Sequence, residues 1–169
     1  MSMMIPVKLT REEELQAASV AFRRAFENPG KIDRSIQKLN LHDGIARDAE
    51  SIGGEIAVAK YFGIMNFEPT CGTFKMHADV AYNIEVKHTK HESGCLILSD
   101  RDRADDIAVL AVGKSPNYYL AGWGHVGTLR RPSRQRSDGS YWINVSDLHP
   151  MENLARSVYG NRKPQVPQV

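Results

Sequence analysis

Cysteine is scarce in this chain, with only Cys71 and Cys95 among 169 residues. Two thiols cannot build a disulfide framework, so a reducing compartment is the expectation. No segment approaches the roughly eighteen consecutive apolar residues of a membrane-spanning helix. The opening MSMMIPVKLTREEEL lacks the basic region and apolar core of a secretory leader. A soluble, cytoplasmic protein without a membrane partner is therefore expected. An excess of charge is missing as well. Lys and Arg number 22 against 20 Asp and Glu, a net +2, so any contact with nucleic acid must come from a local patch. There is no internal repeat and no low-complexity tract. What is present is a globular composition, 41% hydrophobic and 25% charged. The length suits one domain with a real core.

Thr10 and Glu13 form a capping-box pattern at the head of TREEELQAASVAFRRAFENPG. Ala18, Phe22 and Phe26 make a short apolar stripe on that helix, of the kind that usually serves packing, and Asn28-Pro29-Gly30 ends it. A second helix is expected in KIDRSIQKLN, with Ile32, Ile36 and Leu39 turned in. The pair would form a cover or a dimer surface. Asp43 is placed to cap the next helix, GIARDAESIGGEIAVAKYF, where Ile45, Ala49, Ile52, Ile56 and Ala59 line one face. Gly53-Gly54 in its middle costs about 1 kcal/mol per glycine relative to alanine, which a close approach to a sheet would offset. Gly63 ends this helix. Strand-like runs follow: MNFEP, GTFKMHAD, NIEVKHT, CLILS, DIAVLAV and YYLAGWGHV. DIAVLAV is apolar enough for a strand buried on both faces. SDRDRADD fits a helical turn, and SYWINVSDL an edge strand or a strand-to-helix passage. The order of elements predicts an α/β or α+β sandwich around a mixed sheet. It divides into a helical cover (1–42), a core (43–125) and a basic loop with a C-terminal element (126–160), then a tail (161–169).

The stretch DVAYNIEVKHTK, from Asp79 to Lys90, poses the functional question. Its alternation of apolar and charged residues describes an amphipathic strand. Along one straight strand, Asp79 and Glu85 would lie about 20 Å apart, and the charges would be a solvated face. A reversal through Ala81-Tyr82-Asn83, with Asn83 taking the left-handed conformation at its end, changes this. Val80 then opposes Ile84, and Asp79 opposes Glu85 with Cβ atoms about 5 Å apart. Two carboxylates so close repel unless a cation lies between them, and oxygen ligands favour Mg²⁺ or Mn²⁺. Lys87 shares the face of Glu85 and would point into the same site. Such a group suits metal-assisted hydrolysis of a phosphodiester.

DVAYNIEVK, preceded by GGEIAVAKYFG, resembles the PD-(D/E)XK nuclease superfamily, over about residues 44 to 125. DIAVLAV and YYLAGW look like the later core strands of small phage and archaeal members. The resemblance implies an αβββαβ restriction-endonuclease-like core, a DNA substrate (with RNA open), and Mg²⁺ or Mn²⁺ as cofactor. It implies Asp79 and Glu85 as metal ligands, the Val86 carbonyl as a third, Lys87 as the catalytic lysine and Glu55 as the helical acid. It leaves a homodimer open, and a host cytoplasm if the chain is phage-encoded. Ala78 stands where the family pattern has Pro, a position that varies across the superfamily.

LRRPSRQR places Arg130, Arg131, Arg134 and Arg136 in one loop, either scattered surface charge or a phosphate-binding arm whose affinity falls with salt. Tyr118, Tyr119, Trp123 and Trp142 are expected in packing rather than base stacking. Asp105 and Asp106 are expected as turn acids opening a buried strand. Cys71, His77, His88, His91 and Cys95 supply zinc-type ligands, but without a CxxC or HxxxH pair. The competing functions are a non-catalytic nucleic-acid-binding or assembly protein on the same fold, and a small zinc-containing regulatory module.

Overall fold

A computed structural model describes residues 3–27, 38–71 and 77–154. The chain begins with a short strand, β1 (Ile5–Lys8), then helix α1 (Arg11–Glu27) and helix α2 (Leu41–Tyr61). Strands β2 (Ile84–Thr89), β3 (Leu96–Leu98), β4 (Ile107–Lys114) and β5 (Asn117–His125) follow, then a helical turn α3 (Val126–Leu129), strand β6 (Tyr141–Ile143) and a last turn α4 (Met151–Leu154). The main sheet has the order β1-β5-β4-β2, antiparallel except for the parallel β4–β2 pair. The protein is thus a mixed α+β fold around a mixed four-stranded sheet. The strand β1 was not foreseen, and it ties the N-terminal segment into the sheet rather than leaving it a purely helical cover.

The layers follow from β4. Its alternate residues Ile107, Val109 and Ala111 pack towards α2 with Val58, Ala59, Ile84 and Val86. Ala108, Leu110 and Val112 pack on the other face with Leu96, Leu98, Val126, Leu129 and Ile143. The second face is closed by the antiparallel β3–β6 ribbon. A strand buried on both faces is what its nearly continuous apolar run requires. Between β2 and β4 the chain runs through β3 and turns; residues 99–106 form no helix. MNFEP is a turn with Asn66 at φ 56, not a strand.

The capping box at the start of α1 forms: the Glu13 amide donates to Thr10 Oγ1 at 3.2 Å, and the Thr10 amide to Glu13 Oε2 at 2.7 Å. The face of α1 buried within the chain is not the Ala18, Phe22 and Phe26 stripe. Ala17, Val20 and Ala21 are buried, whereas Phe22 and Phe26 are 60% and 76% exposed. The small residues face in because α1 packs closely on α2 around Ile52, Ile56, Ala57 and Tyr118. The cap of α2 is Asn40, not Asp43: its Oδ1 accepts from the Asp43 amide at 2.9 Å, and its Nδ2 donates to Asp43 Oδ2 at 2.8 Å. Past Tyr61 the chain leaves the helix through Gly63 at φ 68. The expected helix in KIDRSIQKLN and the stop at Asn28-Pro29-Gly30 lie mostly outside the described residues, as do the first five residues of GTFKMHAD and the C-terminal tail.

Gly53 and Gly54 sit where α2 touches the sheet. A Cβ on Gly53 would overlap the hydroxyl and ring of Tyr118, and one on Gly54 would stand 3.3 Å from Ala111 Cβ. Tyr118 is fully buried, and its hydroxyl lies 3.0 Å from both the main-chain oxygen and Oε2 of Glu50. Gly44, in the same helix, has nothing within 4 Å of a Cβ position. Gly53→Ala is therefore expected to lower stability by about 1–3 kcal/mol through overpacking. Gly44→Ala should raise it by up to about 1 kcal/mol through helix propensity. Urea unfolding of the two variants checks the contrast; equal effects would contradict the close approach.

Candidate active site

The reversal after Asp79 is present. Val80 and Ile84 exchange both main-chain hydrogen bonds, at 2.9 and 3.1 Å, across Ala81-Tyr82-Asn83. The left-handed residue is Ala81, at φ 54, not Asn83. Asn83 is instead committed to the sheet, its carbonyl accepting from the Ile107 amide at 2.7 Å. A β-carbon disfavours the left-handed region, and the turn is braced from outside. Arg103 donates to the Tyr82 carbonyl at 2.6 Å while gripping Asp106 with two bonds of 2.9 and 2.8 Å. Asp106 is thus a turn acid opening a buried strand, as expected, with a bracing role added.

The turn brings Asp79 back alongside β2, where its Oδ2 accepts the Val86 amide at 2.8 Å. β2 is the edge of the sheet. The N–H and C=O of one strand residue point to the same side, so the Val86 carbonyl also lies on this edge, beside Asp79. Glu85 and Lys87 stand opposite Ala108 and Leu110 and share their face, the ribbon side. Ile84 and Val86 face α2. His88 shares that face and points away from Lys87, with Nε2 2.8 Å from the Gly113 carbonyl and the ring edge-on to Tyr118.

Glu55 comes from the helix side. The glycines before it bring α2 against the sheet, so its side chain is only 8% exposed, and Arg24 Nη2 of α1 lies 3.4 Å from its Oε2. Burial and the charge of Asp79 push the Glu55 carboxyl up to about 8, against the pull of Arg24. Glu85 is pushed up to about 7, by burial first and then Asp79, against the attraction of Lys87. Glu55, Asp79 and Glu85 therefore feel one another around the edge of β2, Asp79 lying outside the strand and the two glutamates on opposite faces.

Lys87 is held between two acids: Nζ donates to Glu85 Oε1 at 2.8 Å and to Asp102 Oδ1 at 2.9 Å. Burial lowers its pKa, but the two carboxylates more than offset this and hold it above the ordinary lysine value. The Asp102 side chain is 1% exposed and also accepts from the Ser99 amide at 2.6 Å and the Ser99 hydroxyl at 3.2 Å. Asp102 and Arg24 were not foreseen. Each carried a signal: Asp102 stands three residues after Ser99 beyond a strand, and Arg24 continues the stripe of Ala17, Val20 and Ala21 with a charge.

Three of the four loop arginines have partners within the chain. Arg130 donates to the carbonyls of Ser99 and Asp100 at 3.2 and 3.0 Å, in the loop that carries Asp102. Arg134 lies 3.4 Å from Asp147, and the Arg136 guanidinium sits 4.9 Å from the Trp142 ring centre. Arg131 is exposed. Tyr118 and Trp123 are core residues, as expected, while Tyr119 is 44% exposed.

Among the described residues, no three His, Cys, Asp or Glu side chains stand together as a ready metal cage. Cys95 donates to Asn144 Oδ1 at 3.4 Å, and His88 Nε2 lies 2.8 Å from the Gly113 carbonyl. Among the same residues no helix is long and apolar enough to cross a membrane.

The raised carboxyls set a pH dependence. A carboxyl whose folded pKa lies above its unfolded value stabilises the fold at low pH, and that stability is lost as pH rises through the folded value. For Glu55 and Glu85 the loss runs from the ordinary value of 4.5 up to about 8 and about 7. The melting temperature is expected to fall between about pH 5 and about pH 8. Glu55→Gln, which keeps an acceptor for Arg24 but cannot ionise, should flatten the fall. Thermal unfolding at matched ionic strength checks this, and an unchanged slope would remove Glu55 from the acidic cluster. No family model matches this chain, and neither does any curated protein or solved structure.

Proposed function

We propose that the protein is a metal-dependent nuclease that hydrolyses DNA phosphodiester bonds, with RNA as an open second substrate, on a variant of the PD-(D/E)XK core. The observation that carries this reading is the reversal at Ala81–Asn83. It puts Asp79 beside the main chain of Val86 and within the electrostatic reach of Glu85 and Glu55. The parallel β2–β4 pair with α2 across it supports the fold part of the reading.

The donor set suits a hard divalent cation. Its ligands are all oxygen, and Mg²⁺ or Mn²⁺ needs only one or two carboxylates beside its waters. Asp79, Glu85 and the Val86 carbonyl would hold it, with Glu55 arriving from the helix. Burial first, and then the charge of Asp79, raise Glu55 and Glu85, and a cation relieves the second of these. When bound, such an ion supplies Lewis-acid polarisation of a phosphate oxygen and a more acidic water.

The chain's own residues have distinct tasks in this scheme. Asp79 commits Oδ2 to the Val86 amide, which fixes its carboxylate beside the main chain of Val86. Glu85, once turned to the edge, releases Lys87. The Lys87 ammonium then orients the attacking water or offsets charge on the scissile phosphate, while Asp102 keeps the side chain from leaving the site. Arg24 holds Glu55 in place. Arg131 and Arg136 are the exposed arginines of the basic loop, and Arg130 supports the loop behind Lys87.

One observation favours the second reading, a nucleic-acid-binding or assembly protein without catalysis. Lys87 is engaged by two carboxylates at 2.8 and 2.9 Å, which suits a purely structural ion-pair network. The experiment that separates the readings is cleavage of labelled duplex, single-stranded and branched DNA with Mg²⁺ or Mn²⁺. The nuclease reading expects cleavage that falls about a hundredfold or more in Glu85→Ala and in Lys87→Ala. Equal background cleavage in all three proteins would overturn it. DNA binding that survives Lys87→Ala, without cleavage in either metal, would establish the second reading.

A further inference from the structure

Helix α1 is apolar on two opposite faces. Ala17, Val20 and Ala21 are buried against α2. On the far side Leu15 and Phe22 are each 60% exposed and Phe26 is 76% exposed. The Phe22 and Phe26 rings stack with centres 6.5 Å apart. At 3.6 residues per turn, Leu15, Ala18, Phe22 and Phe26 fall within an arc of about 80°, with Ser19 at its margin. A lone exposed apolar residue needs no explanation, but a continuous stripe on a polar helix does.

We propose that this stripe is the contact surface for a second copy of the chain, with the two α1 helices antiparallel about a two-fold axis near Ala18 and Ser19. The distribution of size and charge argues for that occupant. The small residues Ala18 and Ser19 lie midway along the length of the stripe, at its two margins, where two helices can approach closely. The large residues lie on either side, so a two-fold axis there sets Leu15 of each copy against Phe22 of the other. Phe26 then reaches Arg11 of the other copy, a cation over an aromatic ring. Glu12 and Arg23 are exposed on one flank of the stripe, at opposite ends. Antiparallel pairing brings Glu12 of each copy to Arg23 of the other, twice by symmetry. A parallel pair would instead set the acidic first turns, Glu12 to Glu14, against each other. Arg23 now makes only a 3.8 Å ion pair with Glu27, with both side chains about half exposed, and such a pair exchanges readily. This interface does not depend on the nuclease reading.

Sedimentation of the full chain over a micromolar concentration series tests it. A reversible dimer is expected. Phe22→Glu, at an exposed position where folding is not at stake, should weaken association about thirtyfold or more, the scale of an interface hot spot. Glu12→Arg and Arg23→Glu should each weaken it, and the double variant should recover most of the loss. A wild type that is monomeric at every concentration, or a dimer indifferent to Phe22→Glu, overturns the proposal. Failure of the double variant to recover overturns the antiparallel register.

Discussion

The contact of Gly53 and Gly54 with Tyr118, Ala111 and His88 sets how near α2 comes to the sheet, and most of the molecule is arranged around that distance. A helix this close leaves no room for large side chains beside it, so α1 approaches with Ala17, Val20 and Ala21. The Tyr118 hydroxyl, buried under Gly53, must have a partner, and Glu50 one turn earlier in the helix supplies it. Burial and the charge of Glu50 raise the phenol's pKa, so it stays protonated and donating. The residue after the glycine pair is Glu55. The approach that excludes a Cβ at position 53 thus also drives a carboxylate out of water at position 55.

An acid buried in this way is unfavourable unless its surroundings answer it. Here the answer is shared between two cations on different elements. Arg24 serves Glu55 from α1, and Lys87 serves Glu85 and Asp102 from β2. Neither restores the two glutamates to ordinary acidity. The residual strain lies at one edge of the sheet, around Asp79. Buried ion pairs are weak evidence for stability because desolvation offsets much of the attraction.

Much of this was legible in the chain itself. The period of Ile45, Ala49, Ile52, Ile56 and Ala59 located the inner face of α2, and the glycine pair pointed to a close approach. The length of a straight strand ruled out a site on DVAYNIEVK unless the chain reversed, and the reversal is there. The errors have physical causes. The stripe of Ala18, Phe22 and Phe26 suggests packing because size usually signals burial, whereas the helix–helix spacing selects small residues for the buried face. That choice of face hid Arg24. Asn83 is the natural left-handed residue by type, but its carbonyl is needed by β4, and Ala81 takes the conformation under external bracing. The pairing of β1 with β5, at the far end of the sheet from the site, rests on contacts more than a hundred residues apart that no local pattern encodes.

The turn before β2 has a second consequence. An edge strand offers a row of unpaired amides and carbonyls to any extended chain that passes, and folded proteins must blunt that invitation. Here Val80 occupies both main-chain groups of Ile84, and the Asp79 carboxylate takes the next outward amide, that of Val86. The acid that gathers the site therefore also acts as a plug on the open side of the sheet. Removing its side chain would leave the Val86 amide open on that edge.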